Sequence, residues 1–241
     1  KDNILFIDDL SVGTDPSEWL DQPMVEDHKG IKVYGTDARL YFLKSDFRDV
    51  VHALARDPEY IKKTYGLDFV DFGAKIDGDP MMVALDLSID AEFFYYITRH
   101  KPERVLYPSS SAAYPVNLQT ESGAIALTES DIDFNNMGQP DMTYGWSKLT
   151  GEYLAKIAAQ YYDVNITCIR PFSGYGEDQD LTYPIPSLAK RAALKENPFE
   201  VWGTGHQGRD FVHIDDVIDC IQLAMNHIHD GTAINIGMGK L

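Results

Sequence analysis

The alternation of short apolar runs with longer helical segments is the sequence feature that most constrains the fold. Apolar runs of strand length lie at 3–7, 40–43, 69–73, 104–107 and 165–169. Segments with helical periodicity separate them, at 47–54, 83–100 and 143–162. This order is typical of stacked β-α units around a parallel sheet. We therefore predict an α/β fold with a doubly wound parallel sheet over residues 1–170.

The longest of these helical segments has a regular apolar spacing. Within 143–162, Leu149, Tyr153, Ile157 and Tyr161 lie four residues apart. The spacing predicts one stripe that packs the helix against the sheet.

The sequence changes character after Arg170. Four prolines interrupt the chain, at 171, 184, 186 and 198, and the alternation returns only with a strand-like segment at 211–214 and a helical one at 215–227. We interpret residues 171–241 as a smaller, loop-rich lobe that closes over the carboxyl ends of the strands. Ligands of open α/β sheets bind at that edge.

A glycine-rich phosphate loop is expected after the first strand of such a sheet, but the first apolar run here ends in Asp8 and Asp9. An acid at a strand end is typical of the next β-α unit, so we expect the first strand and its glycine loop to be missing. Residues 235–239 suggest a strand and a turn with nothing following, so we expect the C-terminal end of the fold to be missing as well. A Gly-x-Gly-x-x-Gly pattern occurs at 203–208. It precedes a strand-like segment instead of a helix, which favours a flexible loop over a phosphate site.

Composition excludes several classes of partner and site. The formal net charge is −17, which disfavours nucleic acid and anionic membranes as partners. No apolar run approaches the roughly 18 residues of a membrane span. The two cysteines, Cys168 and Cys220, cannot build a disulfide framework and have no metal-ligand spacing, so we expect no metal site and a cytoplasmic protein.

Two polar groups on consecutive β-α units suggest acid-base chemistry. Tyr144 and Lys148 lie four residues apart, on one face of the predicted helix. A nearby ammonium favours the phenolate and lowers the pKa of a tyrosine, which then can take a proton from a sugar or alcohol hydroxyl. The serines at 109–111 directly follow a predicted strand and could hydrogen-bond the same oxygen. Taken singly, the pair also fits a surface tyrosine with a solvated lysine, and the serines also fit a turn.

Four segments together resemble a known family. They are Arg104–Pro115 with its serines, Tyr144–Lys148, the Arg-Pro segment Arg170–Gly176, and Trp202–Asp216 with its Arg-Asp-Phe. They resemble the extended short-chain dehydrogenase/reductases, in the NAD-dependent nucleotide-sugar epimerase and dehydratase branch, and are closest in motif to UDP-glucose 4-epimerase-like members. The resemblance runs over essentially the whole chain. It implies a Rossmann-like NAD-binding domain in 1–170, a lobe in 171–241 that binds a nucleotide-diphosphate sugar, and a homodimer.

The resemblance also implies roles for individual residues. The catalytic residues would be Ser110, Tyr144 and Lys148. The NAD-binding residues would be Asp8, Asp9, Asp46, Phe47, Gly73, Ala74, Tyr144, Lys148 and Pro171. The substrate-binding residues would be Ser110, Ser111, Ser173, Val201, Trp202 and Arg209. Asp8 on the ribose hydroxyls would favour NAD over NADP, and Arg209 would neutralise the substrate diphosphate.

Two positions depart from the family pattern. Ser173 stands where the family usually has an asparagine, which puts the pyrophosphate contact there in doubt. Asp86 stands where many members have an asparagine, and it also fits a solvated helix acid.

The residues after Ser110 bear on which reaction of the family is expected. In the family, dehydratases carry an Asp-Glu pair there, and decarboxylases carry a glutamate or 3,5-epimerases a cysteine at the place of Ala112. The chain has Ser111 and Ala112 instead. This favours epimerisation at carbon four through a transient keto sugar, with dehydratase, decarboxylase, reductase and non-catalytic NAD-binding regulatory or scaffold members as alternatives. From the 241 residues alone, without a phosphate loop, we expect no useful turnover.

Overall fold

The structure is a computed structural model in which most of the chain after residue 80 is described. The described residues are 4–8, 15–18, 24–28, 31–34, 40–45, single positions between 49 and 63, 81–119, 126–141, 143–201 and 208–239. The strand predicted at 69–73 lies outside them, as does most of the helix predicted at 47–54. The chain forms two compact units, one of residues 1–78 and 84–100 and one of residues 79–83 and 101–241. The division at residue 170 into cofactor and substrate domains stays a prediction.

The first unit contains a four-stranded sheet in the order β1-β4-β3-β2. Its strands are β1 (Ile4–Asp8), β2 (Met24–His28), β3 (Ile31–Tyr34) and β4 (Leu40–Lys44). Most of the long helix α1 (Met82–His100) also belongs to this unit. The strands β1 and β4 run parallel, as the sequence predicts, whereas β2 and β3 are antiparallel additions to that pair.

The hairpin of β2 and β3 is not predicted from the sequence. Its register pairs His28 with Ile31, across the two residues Lys29 and Gly30. Ile31 and Val33 are buried and Lys32 between them is not, which is the period-2 pattern of a half-buried strand. Tyr34 is buried as well, so the alternation covers only residues 31–33, too few to stand out from a loop.

The second unit contains a three-stranded parallel sheet in the order β5-β6-β9. Its strands are β5 (Val105–Pro108), β6 (Ile166–Pro171) and β9 (Asp230–Ile236), and a separate parallel pair is formed by β7 (Ser173–Tyr175) and β8 (Phe211–His213). Its helices are α2 (Tyr144–Tyr162), α3 (Pro184–Ala193) and α4 (Ile214–His227). The predicted α/β class with parallel strands is confirmed.

The stripe predicted for α2 is wrong. Leu149 is buried, but Tyr153 is 51% and Tyr161 72% exposed. A spacing of four residues turns by about 40° per step relative to the helix, so such a stripe leaves the packed face. The buried face consists largely of small residues: Gly145, Ser147, Lys148, Leu149, Gly151, Glu152, Ala155 and Ala158.

Close packing of α2 on the sheet explains the small residues on that face. A Cβ on Gly151 would overlap the side chain of the buried Tyr107 on β5. Gly231 at the start of β9 has a φ of +72°, and a Cβ there would lie 2.6 Å from the Ala155 carbonyl oxygen. Helix and strands therefore approach closely where glycine removes the side chain.

Helix α3 is also not predicted from the sequence, which suggests a loop there because of its prolines. Pro184 occupies the first turn, where the ring's fixed φ suits a helix and the missing N–H has no intrahelical acceptor. A proline at this place begins a helix instead of breaking one.

None of the helices in the described ranges is long and apolar enough to cross a membrane.

Candidate active site

The site is built where β5 and β6 end. These strands are parallel, with Pro108 paired with Ile169, so their carboxyl ends lie at the same edge of the sheet. Ser109 and Ser110 follow β5, and a short 3₁₀ turn continues over Ser111–Ala113. Pro171 ends β6 at the same edge and is half-buried.

The three serines have different environments. Ser109 is buried, and its hydroxyl donates to Glu152 Oε1 at 2.5 Å. Ser110 is half-buried, and its Oγ accepts from the Ala112 amide at 3.1 Å at the start of the 3₁₀ turn. Within the described residues no group accepts the Ser110 hydroxyl proton, so Ser110 can still donate a hydrogen bond. The Ser109 hydroxyl already donates to Glu152.

Lys148 is held inside the protein. It is only 4% exposed, and its Nζ donates to the Pro108 carbonyl at 3.0 Å. The same Nζ lies 5.3 Å from the centroid of the Tyr144 ring and 5.4 Å from that of Tyr107. The alternative of a solvated lysine is therefore wrong, and the ammonium lies beside the phenol with which the sequence pairs it.

The start of α2 is fixed against the serine loop. Asp141 accepts from the Thr143 amide and from the Gly145 amide, both at 2.9 Å. A Cβ on Gly145 would overlap the Ala112 carbonyl oxygen, so only glycine allows this approach. Tyr144, the first residue of α2, is thereby brought next to the 3₁₀ turn that follows Ser110.

A buried ion pair lies beneath the site. Arg170 donates from Nε to Glu152 Oε1 at 2.7 Å and from Nη2 to Glu152 Oε2 at 2.6 Å. Burial alone would lower the pKa of Arg170, but the hydrogen bonds and charge of Glu152 outweigh it and raise that pKa, so the guanidinium stays charged. Its Nη1 donates to the Tyr114 hydroxyl at 3.1 Å. This pair is not apparent from the sequence, because its members lie 18 residues apart on a helix and a strand, where no local spacing marks them.

A family match covers most of the chain. Residues 38–237 match the NAD dependent epimerase/dehydratase family. The chain belongs to that family. The resemblance found in the sequence motifs is thereby confirmed.

The proteins that are similar to this chain have names that refer to different reactions. The chain is 25% identical to the uncharacterized UDP-glucose epimerase YtcB of Bacillus subtilis (strain 168), over 98% of this chain and 69% of that protein. It is 33% identical to a dTDP-4-dehydro-6-deoxy-D-allose reductase of Streptomyces sp, over 47% of this chain but only 34% of the reductase. The crystal structure of DesIV, a dTDP-glucose 4,6-dehydratase from Streptomyces venezuelae with NAD and TYD bound, superposes with a TM-score of 0.71 at 21% identity, covering 98% of this chain and 67% of that one.

Several residues with predicted roles in this family lie on other segments of the second unit. Ser173 is on β7, and its amide donates to the Asp210 carbonyl at 3.1 Å. Val201 and Arg209 are exposed. Asp210 follows Arg209 in the chain, and its carboxylate accepts from the Met238 and Gly239 amides at 2.8 and 2.9 Å. Asp210 therefore stabilises the turn after β9.

The remaining predicted cofactor and substrate residues lie outside the described part of the chain: Asp9, Asp46, Phe47, Gly73, Ala74 and Trp202. Asp8 is the last residue of β1 and lies opposite Lys44 of β4 in the strand register. Asp86 on α1 is 3% exposed, so it is not a solvated helix acid.

Proposed function

We propose that this protein epimerises a nucleotide-diphosphate sugar at carbon four, with NAD as cofactor and a transient keto sugar as intermediate. The observation that carries the proposal is the buried Lys148 ammonium, held by the Pro108 carbonyl and flanked by the Tyr107 and Tyr144 rings, directly beside the Ser110 loop. The arrangement supplies a cation, a phenol and a hydroxyl at one sheet edge, and the roles below follow from it.

Tyr144 acts as the base. The Lys148 charge favours the phenolate form of a neighbouring tyrosine, which then takes the proton from the sugar hydroxyl at carbon four. Ser110 donates its hydroxyl proton as a hydrogen bond to that same sugar oxygen, and the Ala112 amide orients the Ser110 oxygen from the other side. Lys148 itself is held by the Pro108 carbonyl, so its position is set before substrate binds.

The residues at this edge fit the nicotinamide cofactor that the family uses. The carboxyl ends of β5 and β6 are the place where an open α/β sheet binds a nucleotide, and Lys148 and Pro171 lie there. Lys148 and Pro171 would hold NAD near the sugar. Bound NAD would accept a hydride from carbon four and return it.

The side chains after Ser110 and the hydrogen bonds of the nearby acids favour epimerisation over elimination of water. Elimination needs an additional acid or base, and the positions after Ser110 are Ser111 and Ala112. Two acids near this loop, Asp141 and Glu152, are already engaged: Asp141 by the amides at the start of α2, and Glu152 by Ser109 and Arg170. The name of the Bacillus subtilis relative, a UDP-glucose epimerase, agrees with this choice.

The substrate is an anion, and the chain has a net charge of −17. Binding a diphosphate therefore needs a local cation, and the exposed Arg209 is the proposed one, because a guanidinium binds phosphate in a bidentate manner.

The test is incubation of the full-length protein with NAD and a panel of UDP-, dTDP-, GDP- and CDP-sugars, with products identified by NMR. We expect one pair of carbon-four epimers to interconvert without loss of atoms. Products that lack water or carbon dioxide would instead show a dehydratase or a decarboxylase, and no conversion of any sugar would favour a non-catalytic member of the family.

A further inference from the structure

The Glu152–Arg170 pair touches both ends of the loop that carries Ser110. Ser109, immediately before Ser110, donates to Glu152 Oε1, and Tyr114, which follows the 3₁₀ turn, accepts from Arg170 Nη1. All four side chains are buried, with exposures of 4% or less. The residues on both sides of 110–113 are therefore hydrogen-bonded to one ion pair.

The same pair is attached to the helix that carries Tyr144 and Lys148. Glu152 lies on α2, four residues after Lys148 and on the same buried face. Arg170 lies on β6, next to Pro171. Hydrogen bonds from Arg170 to both Glu152 oxygens leave the carboxylate little freedom to rotate, because a bidentate pair fixes two planar groups against each other.

The far end of the network is also fixed. The Tyr114 hydroxyl lies 2.8 Å from Asn235 Oδ1 on β9 and 3.0 Å from the Thr128 carbonyl oxygen. Burial raises the pKa of Tyr114, so this hydroxyl keeps its proton and donates it to these acceptors. Asn235 Nδ2 in turn donates to the Leu127 carbonyl at 3.1 Å. The network thus joins β5, α2, β6 and β9 around the loop.

We propose that Glu152 and Arg170 are positioning residues, which set the distance between the Ser110 hydroxyl and Tyr144 by holding Ser109 and Tyr114. This inference rests on the proposed function for its catalytic consequence, but the order that it assigns to the loop does not depend on which reaction is catalysed. A shift of the Ser110 oxygen by a fraction of an ångström weakens its hydrogen bond to the transition state more than to the bound sugar.

Mild substitutions test the proposal, since removing Glu152 or Arg170 leaves a buried charge without its partner and threatens folding. Ser109→Ala and Tyr114→Phe each remove one hydrogen bond to the ion pair and leave the pair itself intact. The matched control is Thr167→Val on β6, which removes a buried hydroxyl that donates to the Ile228 carbonyl at 2.7 Å, away from the loop.

Two readouts are taken on the full-length protein with NAD. The first is hydrogen exchange of the Ala112, Ala113 and Tyr114 amides, which bond to Ser110 Oγ, the Ser110 carbonyl and the Ser111 carbonyl. We expect exchange about tenfold faster in both loop variants and unchanged in Thr167→Val. The second is turnover: kcat is expected to fall about tenfold in both loop variants, with KM within about twofold of wild type and no change in Thr167→Val.

The outcomes separate the two claims. Wild-type exchange at residues 112–114 in both loop variants overturns the positioning role, whatever the enzyme does. Faster exchange with an unchanged kcat overturns the catalytic consequence and makes the pair purely structural. A wild-type protein that converts no nucleotide sugar overturns the proposed function, while the exchange rates still decide whether the ion pair holds the loop.

Discussion

Tyr144 and Lys148 have different exposures, and the difference suits their proposed roles. Lys148 is buried, whereas Tyr144 is half-buried and accessible to a substrate. We predict that Tyr144→Phe lowers kcat by about 10²–10⁴-fold, because the base is lost, and leaves the affinity for NAD within about threefold. Turnover and NAD titration of the purified variant check this.

A second tyrosine on the same helix provides the control. Tyr153 is 51% exposed and points away from the serine loop's face of α2, so Tyr153→Phe should keep wild-type turnover. Comparable activity of Tyr144→Phe and wild type would refute the assigned base.

The two cysteines also differ in their environments. Cys168 on β6 is fully buried, and burial raises the pKa of its thiol well above the usual value, whereas Cys220 on α4 is exposed. We predict that a thiol reagent such as DTNB modifies one cysteine per chain in native protein and two in urea, because only the thiolate reacts. Cys220→Ser should abolish the native reaction, and rapid modification of that variant would contradict the burial of Cys168.

The buried and exposed ion pairs are expected to contribute very different amounts to stability. Glu152→Gln leaves Arg170 buried with a weaker partner and should lower the free energy of unfolding by about 3–5 kcal/mol. Glu196→Gln breaks the more exposed pair with Arg191 and should cost at most about 1 kcal/mol. Urea unfolding of both variants measures the difference, and equal losses would contradict the account of the buried pair.

At the scale of elements, the close approach of α2 to β5 depends on Gly151. Gly151→Ala places a Cβ on the buried Tyr107 side chain, and we predict a loss of about 1–3 kcal/mol in the free energy of unfolding despite the better helix propensity of alanine. Gly174→Ala on β7 is the matched control, because the nearest atom to its new Cβ is the Phe172 carbonyl oxygen at 4.0 Å. A stabilised Gly151→Ala would show that helix and strand are farther apart.

Sequence periodicity predicted the long elements and failed on the short or unusual ones. Strands β1, β4, β5 and β6 were predictable from continuous apolar runs. The buried face of α2 was not, because it is made of Gly151, Ala155 and Ala158, which carry little hydrophobic signal although they allow the closest packing. The hairpin of β2 and β3 was too short to be predicted. The prolines of α3 suggested a loop instead of a helix.

Those residues of the candidate site that lie close together in the sequence were predictable. Tyr144 and Lys148 lie on one helix, and the serines follow one strand, so both can be found from sequence. The choice among the serines and the role of Glu152 depend on contacts between α2, β5 and β6, which only the folded chain brings together.

At the scale of the whole molecule, we propose a homodimer, as the family resemblance implies. Three tyrosines, Tyr153, Tyr161 and Tyr162, are exposed on α2 by 49–72%, and exposed aromatic side chains are typical of interfaces. We predict a mass twice that of one chain by light scattering. Tyr161→Glu should shift the equilibrium to monomer, whereas Tyr183→Glu, at an exposed tyrosine before α3, should not. A monomer at all concentrations would contradict the proposal.

The proposed epimerisation requires that one carbon-bound hydrogen leaves carbon four and returns to the same carbon, with Tyr144 as the base. The direct measurement is NMR of the epimerised product from a nucleotide sugar deuterated at carbon four, with wild-type and Tyr144→Phe protein in ordinary water. We expect inverted configuration with the deuterium retained at carbon four, and no product with Tyr144→Phe. Exchange of the deuterium for solvent hydrogen, or a product formed by loss of water or carbon dioxide, would contradict it.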